Sequence, residues 1–236
     1  MVGRVKPTVK IASAQTPDGE CMELYGHDAD YSIRVERQEL MTSRANESER
    51  ELARLGCARL REHSAPAVLI GGLGMGFTLR EALDLLGPRA SVTVGELMPE
   101  IVDWNRRYFG ELTGHPLCDP RVTVRLGDVT EVIRQSTRAF DAILLDVDNG
   151  PEAFTSAGND WLYSREGLQA CLMALHASGC LAIWSVSVDQ AFEKRLRQMQ
   201  LGFRRVQVPA YKGARSLSRC VWVIAREARA LPPERA

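Results

Sequence analysis

The first 64 residues combine strand-like alternation with a segment of helical period. Apolar and polar residues alternate over residues 20–25 and 31–36, which flank a turn-rich stretch at 26–30. A period of two is typical of strands, so the pattern predicts a small antiparallel hairpin. A charged segment at about 47–62 follows, and it predicts a helix because three residues recur at helical spacing, namely Leu52, Leu55 and Leu60.

After Pro66, short apolar segments alternate with segments of helical period. The predicted strands are 67–70, 91–95, 122–126, 142–146, 181–186, 206–209 and 220–225. The predicted helices are 78–86, 99–108, 129–135, 165–175 and 190–199. Strands that alternate with helices indicate a parallel sheet covered on both faces. Only a short loop separates the last two strands, so we expect that pair to be antiparallel.

These elements predict an α/β protein with a mostly parallel, seven-stranded, Rossmann-like sheet and a small N-terminal antiparallel β extension. We place the extension and its helix at residues 1–64 and the α/β domain at 65–228. Residues 229–236 contain Pro232 and Pro233, and we expect them to form a disordered tail.

The composition narrows the possible partners. The 236 residues are 45% hydrophobic and 25% charged, and 30 basic residues balance 30 acidic ones. This balance argues against nucleic-acid or anionic-membrane partners, which need a concentrated basic surface. No apolar stretch predicts a membrane span or a signal peptide. The six cysteines are scattered without metal-ligand spacing, so we expect a cytoplasmic protein without a metal.

The first predicted strand of the α/β domain runs into a glycine-rich loop and then a helix. The loop contains Gly71, Gly72, Gly74 and Gly76. Glycines at such a junction let the backbone approach a ligand beside the helix N-terminus, although a tight turn alone is the alternative. A dinucleotide fingerprint would place its third glycine at position 77, which is Phe77. Binding of a pyrophosphate is therefore disfavoured.

Acidic residues follow the next two predicted strands. Glu96, twenty residues beyond Gly76, is suited to accept hydrogen bonds from the two hydroxyls of a ribose, or it is a solvated strand end. Asp128 is suited to cap the following helix and to accept a hydrogen bond from an adenine amino group. The two roles of Asp128 are compatible.

Two more acids follow the fourth predicted strand, Asp146 and Asp148. Ligands of open α/β sheets bind beyond the carboxyl ends of the strands, where carboxylates hold a cationic group or take a proton from a nucleophile. An ordinary turn is the alternative. Further on, Trp161, Leu162 and Tyr163 are candidates to line an acceptor pocket or to pack at a helix start.

Several of these motifs together resemble the spermidine synthases, aminopropyltransferases built on the class I S-adenosylmethionine-dependent methyltransferase fold. The resemblance spans roughly residues 20 to 225 and rests on the segments 68–76, 79–81, 119–122, 127–128 and 140–146 with Glu96. It implies that S-adenosylmethionine or its decarboxylated form is the co-substrate. The implied nucleoside-binding residues are Gly71, Gly72, Gly74, Gly76, Glu96, Leu97, Asp128, Val129 and Asp146. It also implies that Asp146 is the catalytic acid, with Asp148 and Tyr163 on the substrate side.

The substrate half of the pattern departs from that family. An aspartate of the family's glycine loop is replaced by Met75, and the family's Tyr-His-Glu signature is missing from the helix before the first sheet strand, where residues 46–49 read Asn-Glu-Ser-Glu. The second acid of the family's Asp-x-x-Asp-Pro loop is shifted to Asp148. The nucleoside half is intact, so the acceptor is expected to differ.

The sequence therefore predicts a spermidine synthase-like transferase that moves an alkyl group, of aminopropyl type, to a small nucleophile. The alternatives are a methyltransferase, which the loss of the acid at Met75 favours, and a non-catalytic nucleoside-binding relative. A nicotinamide oxidoreductase is disfavoured by Phe77. The family's N-terminal hairpin often supports subunit contacts, so a homodimer is expected.

Overall fold

The structure is a computed structural model that describes residues 7–147, 160–214 and 216–233. It has two compact units, one up to Asn46 and one from Glu47 onwards. The helix that we grouped with the N-terminal extension belongs to the larger unit instead. The reason is its buried face, which packs on the large sheet and on a neighbouring helix.

The N-terminal unit is a four-stranded antiparallel sheet, and its strands pair in chain order. They are β1 (Val9–Gln15), β2 (Cys21–His27), β3 (Asp30–Val35) and β4 (Gln38–Thr42). The predicted hairpin is β2–β3, but β1 and β4 extend it. The turn into β4 was not visible in the sequence because Glu36 and Arg37, with φ of 47° and 70°, adopt a conformation that glycine normally supplies.

The larger unit contains a seven-stranded sheet, which confirms the predicted fold. Its strands are β5 (Ala67–Gly71), β6 (Ser91–Glu96), β7 (Val122–Leu126), β8 (Phe140–Leu145), β9 (Leu175–Ser185), β10 (Gly202–Val208) and β11 (Arg219–Ala225). The order across the sheet is β10-β11-β9-β8-β5-β6-β7. Strand β11 is antiparallel to both of its neighbours, and the remaining pairs are parallel. The chain reverses direction across the sheet between β5 and β8, where open α/β sheets bind ligands.

Helices cover this sheet. They are α1 (Glu47–Gly56), α2 (Phe77–Leu85), α3 (Pro99–Trp104), α4 (Gly110–Thr113), α5 (Val129–Arg134), α6 (Asp160–Tyr163), α7 (Arg165–Ala174) and α8 (Gln190–Gln198). The helix predicted from Pro99 is interrupted by a π-helical segment at Asn105–Phe109. The helix predicted over 47–62 ends at Gly56, which packs so closely on the sheet that a Cβ atom there would lie 2.1 Å from Leu144 and 3.2 Å from Ala182.

The core lies on both faces of the large sheet. On one face, α7 and α8 pack around the buried aromatic residues Phe192 and Trp222. On the other face, α1 packs on β8, β9 and β11. No helix among the described residues is long and apolar enough to cross a membrane.

The described part of the tail differs from the predicted disorder. Ala230 is buried at the end of a short 3-10 turn, and the carbonyl of Leu231 accepts a hydrogen bond from Arg59 at 3.1 Å. The prediction of disorder rested on the two prolines. It did not consider that these apolar residues can pack against the rest of the protein. Residues 234–236 lie outside the described residues.

Candidate functional site

The glycine-rich loop between β5 and α2 has a backbone conformation that residues with a Cβ atom rarely adopt. Gly72, Gly74 and Gly76 have φ angles of 86°, 51° and 84°, all in the left-handed region. Gly72 also lies against the segment that follows β8, because a Cβ atom there would be 2.4 Å from the carbonyl oxygen of Asp146. The loop therefore needs glycine both for its turn and for its contact with Asp146.

The carboxylate of Glu96 connects the end of β6 to this loop. It is 7% exposed and accepts hydrogen bonds from the backbone N–H groups of Leu73 and Met98, each at 2.8 Å. Burial raises its pKa, while the backbone donors partly oppose the rise. Each carboxylate oxygen has a further lone pair. Binding of ribose hydroxyls by Glu96 stays a prediction, as does a ligand contact of the neighbouring Leu97, which is 52% exposed.

The residues after β7 occupy two different environments. Asp128 caps α5 as predicted, since its side chain accepts a hydrogen bond from the N–H of Thr130 at 2.8 Å. An adenine contact of Asp128 stays a prediction. Val129 is 5% exposed and packs on Gly71 and Gly95. Gly71 and Val129 thus join the helix to the sheet beneath the loop, and a direct contact of either with a nucleoside stays a prediction.

Asp146 lies directly after β8, at the point where the strand order reverses. Its backbone N–H donates to the carbonyl of Gly71 at 2.8 Å, so it continues the sheet. Its side chain accepts a hydrogen bond from the hydroxyl of Thr78 at 2.7 Å. Burial raises the pKa of Asp146 to about 6, although the hydrogen bond from Thr78 favours the ionised form.

A second buried carboxylate, Glu49 of α1, belongs to the same site. It is 8% exposed and accepts a hydrogen bond from the hydroxyl of Ser48 at 2.6 Å. Burial raises its pKa to about 8, and the negative charge of Asp146 adds to the rise. Thr78 connects the two acids, because its hydroxyl oxygen also lies 3.3 Å from the carbonyl oxygen of Glu49. The pair thus titrates as a unit near neutral pH.

Among the described residues, no basic side chain lies within 4.0 Å of the carboxylate of either Glu49 or Asp146. Two partly or fully buried acids without a cation are costly when both are ionised. Such a pair can take up a proton, or it can bind a cationic group that neutralises it. In the described segments, no group of three or more His, Cys, Asp or Glu side chains is arranged to hold a metal ion.

Glu49 is a site residue that the sequence analysis did not select. The stretch that contains it was noted only because the family's signature is missing there. A stronger signal was its position three and seven residues before Leu52 and Gly56, on the buried face of α1. An acid on the buried face of an amphipathic helix indicates a polar site.

Asn105 is a second residue that the sequence analysis missed. Its side-chain amide donates to the carbonyls of Gly74 at 2.7 Å and of Ile101 at 2.9 Å. Because both partners are acceptors, the orientation of the amide is fixed. Asn105 is 4% exposed and starts the π-helical segment, and it ties the glycine loop to α3. No sequence pattern indicates a π-helical segment here.

The predicted substrate side is only partly described. Asp148 lies outside the described residues. Tyr163 is 3% exposed, its ring meets that of Phe192 edge-on, and its hydroxyl donates to the carbonyl of Val147 at 3.2 Å. Tyr163 thus anchors the residue after Asp146 to the core, and substrate binding by Tyr163 stays a prediction.

The sheet order, the glycine loop at its switch point and the acid at the end of β6 together define a class I S-adenosylmethionine-dependent methyltransferase-like fold. The family model for the spermine/spermidine synthase domain matches residues 52–209. The chain belongs to this family.

Individual relatives agree with this placement. A polyamine aminopropyltransferase of Korarchaeum cryptofilum (strain OPF8) is 30% identical over 86 residues, a match that covers 36% of this chain and only 26% of that protein. Among solved structures, a spermidine synthase in complex with the transition-state analogue AdoDATO is 19% identical, with a TM-score of 0.68 over 92% of this chain and 71% of that one. A spermidine synthase from Thermotoga maritima has 19% identity and a TM-score of 0.66 over the same shares of the two chains.

Because Gly72 contacts Asp146, we expect a methyl group added at position 72 to destabilise the folded protein more than one added at an ordinary left-handed glycine. We expect Gly72→Ala to lower the free energy of unfolding by roughly 3 kcal/mol or more, because left-handed strain adds to a clash with a backbone carbonyl. Gly213→Ala is the matched control, since Gly213 has φ of 80° and no atom within 4 Å of the added Cβ; strain alone should cost it about 1–2 kcal/mol. Chemical denaturation measures both. Equal losses in the two variants would contradict the proposed contact.

Proposed function

We propose that this protein transfers an aminopropyl group from decarboxylated S-adenosylmethionine to an amine. The observation that carries the proposal is the pair of acids, Glu49 and Asp146, beside the glycine loop. Membership of the spermine/spermidine synthase family supports it. So does the fold, which a spermidine synthase bound to AdoDATO shares.

The charge of the site favours this donor over unmodified S-adenosylmethionine. The decarboxylated tail ends in an ammonium group alone, whereas the tail of S-adenosylmethionine also carries a carboxylate. Two buried acids attract the first and repel the second. Met75, where the family has an acid, is 1% exposed and neutral. A bound ammonium group favours the ionised form of Glu49, which then supplies from α1 the negative charge that position 75 lacks.

The roles of the chain's residues follow from their positions. The glycine loop, Glu96 and Asp128 bind the nucleoside, and Asn105 holds the loop in place. The acceptor amine attacks the propyl carbon bonded to the sulfonium sulfur; a C–N bond forms and the C–S bond breaks, with its electron pair passing to sulfur. Methylthioadenosine leaves as a neutral thioether. The proton released by the amine passes to the acid pair, whose pKa values of about 6 and about 8 suit a general base at neutral pH.

Methyl transfer is the second candidate, favoured by the neutral Met75 in the glycine loop. Incubation of the protein with each donor and a panel of amines, followed by product masses, distinguishes the two reactions. We expect aminopropylated product and methylthioadenosine from the decarboxylated donor. A methylated amine from S-adenosylmethionine would contradict the proposal, and binding of either donor without turnover would favour a non-catalytic relative. A cytoplasmic location and a homodimer stay predictions.

Substitution of Glu49 tests the acid pair directly. We expect Glu49→Gln to slow aminopropyl transfer by roughly 10²-fold, within the range for a positioned acid–base group, because the variant keeps the shape and removes the charge. In the wild-type protein the rate should increase with pH between about 6 and about 8, as the pair ionises. The variant should lose the upper part of this increase.

The matched control is Glu51→Gln in the same helix. Glu51 is 7% exposed, but its carboxylate is paired with Arg54 at 2.8 Å. Initial rates at saturating donor compare the variants. If Glu49→Gln retained the wild-type rate and pH profile, Glu49 would not belong to the reacting pair.

The same substitution has a predicted effect on stability. The pKa of Glu49 is raised from 4.5 to about 8 in the folded protein, so between these values the folded state binds more protons than the unfolded state and stability falls as pH rises. Glutamine does not ionise and avoids this loss. We expect the melting temperature of Glu49→Gln to match that of the wild-type protein near pH 5 and to exceed it by several degrees, in order of magnitude, near pH 8.5. If the difference in melting temperature between the two proteins did not change with pH across this range, ionisation of Glu49 would not destabilise the folded state.

A further inference from the structure

Three neighbouring strands place polar side chains on the same face of the sheet at the same edge. Leu144 of β8 lies beside Ala182 of β9, and Ala182 lies beside Val223 of β11. Because side chains alternate along a strand, the residues two positions towards the carboxyl edge of β8 and β9 share this face. They are Asp146 and Trp184.

The corresponding residue of β11 is an arginine. Trp184 is paired with Val221, and Arg219 comes two residues earlier in a strand that runs in the opposite direction. Arg219 is therefore on the same face at the same edge, and its guanidinium lies 5.9 Å from the centre of the Trp184 ring. Helix α1 covers this face through Gly56, and Glu49 lies two turns earlier on the same side of α1.

Among the described residues, Arg219 has no carboxylate partner in this cluster, and the indole N–H of Trp184 has no acceptor. Arg219 donates to the carbonyl and hydroxyl of Ser218, and within the described residues no carboxylate lies within 4.0 Å of its guanidinium. The indole N–H of Trp184 is buried and has no hydrogen-bond partner among the described side chains and backbone groups. A buried donor without an acceptor is costly. Arg219 is close enough to lower the pKa of Glu49 but does not pair with it.

We propose that the acceptor is a zwitterion, an amino acid that ends in a second amine, whose carboxylate binds Arg219 and the Trp184 N–H while its reacting amine faces Glu49 and Asp146. This inference rests on the proposed aminopropyl transfer and names its acceptor class. A carboxylate can accept hydrogen bonds from both the guanidinium of Arg219 and the indole N–H of Trp184. A simple diamine offers only cations, which Arg219 repels and which leave the Trp184 N–H without an acceptor.

The test compares two probes that differ by one group, because L-ornithine is putrescine with an added carboxylate. Calorimetry on the whole protein measures the dissociation constant of each. We expect the wild-type protein to bind L-ornithine about 10- to 100-fold more tightly than putrescine, the range for hydrogen bonds to a charged group. Arg219→Gln should abolish or reverse this preference, because it weakens L-ornithine binding and removes the charge that repels putrescine. Equal or tighter binding of putrescine by the wild-type protein would overturn the inference.

Further variants separate a binding role from a structural one. Arg219→Lys keeps the charge and should keep part of the preference for L-ornithine. This variant provides the test if Arg219→Gln fails to fold. Trp184→Phe keeps a ring for the arginine and removes only the N–H, so it should reduce the preference to a smaller extent. Arg197→Gln is the control, since Arg197 also lies over a ring, that of Phe203, but in the last turn of α8. A loss of preference in Arg197→Gln equal to that in Arg219→Gln would show a general effect of structure and overturn the assignment.

Turnover with decarboxylated S-adenosylmethionine distinguishes this inference from the function on which it rests. Release of methylthioadenosine with L-ornithine, faster than with putrescine, supports both. Release with putrescine alone keeps the aminopropyl transfer and overturns the zwitterionic acceptor. A calorimetric preference for L-ornithine without release of methylthioadenosine from either mixture keeps the acceptor class and overturns the transfer.

Discussion

The close approach of the glycine loop to the backbone of Asp146 is the constraint on which the site depends. Gly72 lies where any Cβ atom would meet the Asp146 carbonyl, so β5 and β8 stay in register up to their ends. Asp146 is thereby held under α2 and α1, within reach of the Thr78 hydroxyl. Burial raises the pKa of Glu49, and the buried charge of Asp146 raises it further. A rigid backbone contact thus sets the electrostatics of the side chains around it.

Much of the fold could be predicted because local patterns and the final packing agree. Strands β5 to β8 are short apolar runs between clear turn signals, and the helices that follow β7 and β9 begin at Asp128 and Asp189, which cap them. The elements that were missed lack such signals. Strand β4 follows a turn without glycine, and the π-helical segment begins at Asn105, whose side chain contacts a loop 31 residues earlier in the chain.

The residues of the site also fall into two groups, those that local sequence patterns predict and those that they do not. Gly72 and Asp146 were found because glycines and acids at strand ends are local signals with a known meaning. Glu49 and Arg219 lie 97 and 73 residues from Asp146 in the chain, and their proximity depends on how α1 and β11 pack on the sheet. Neither the helical period nor the strand alternation predicts which distant charged side chains lie near Asp146. That information exists only in the tertiary structure.

The hydroxyl of Thr78 has a single hydrogen and two oxygen neighbours, the carboxylate of Asp146 at 2.7 Å and the carbonyl of Glu49 at 3.3 Å. While Asp146 is ionised, the hydroxyl of Thr78 donates to Asp146, and the carbonyl of Glu49 is left to the N–H groups of its own helix. Once Asp146 accepts a proton, its own O–H can donate to Thr78, and the hydrogen of Thr78 becomes free to turn towards the helix. One bond rotation therefore transmits the proton content of the site to the backbone of α1.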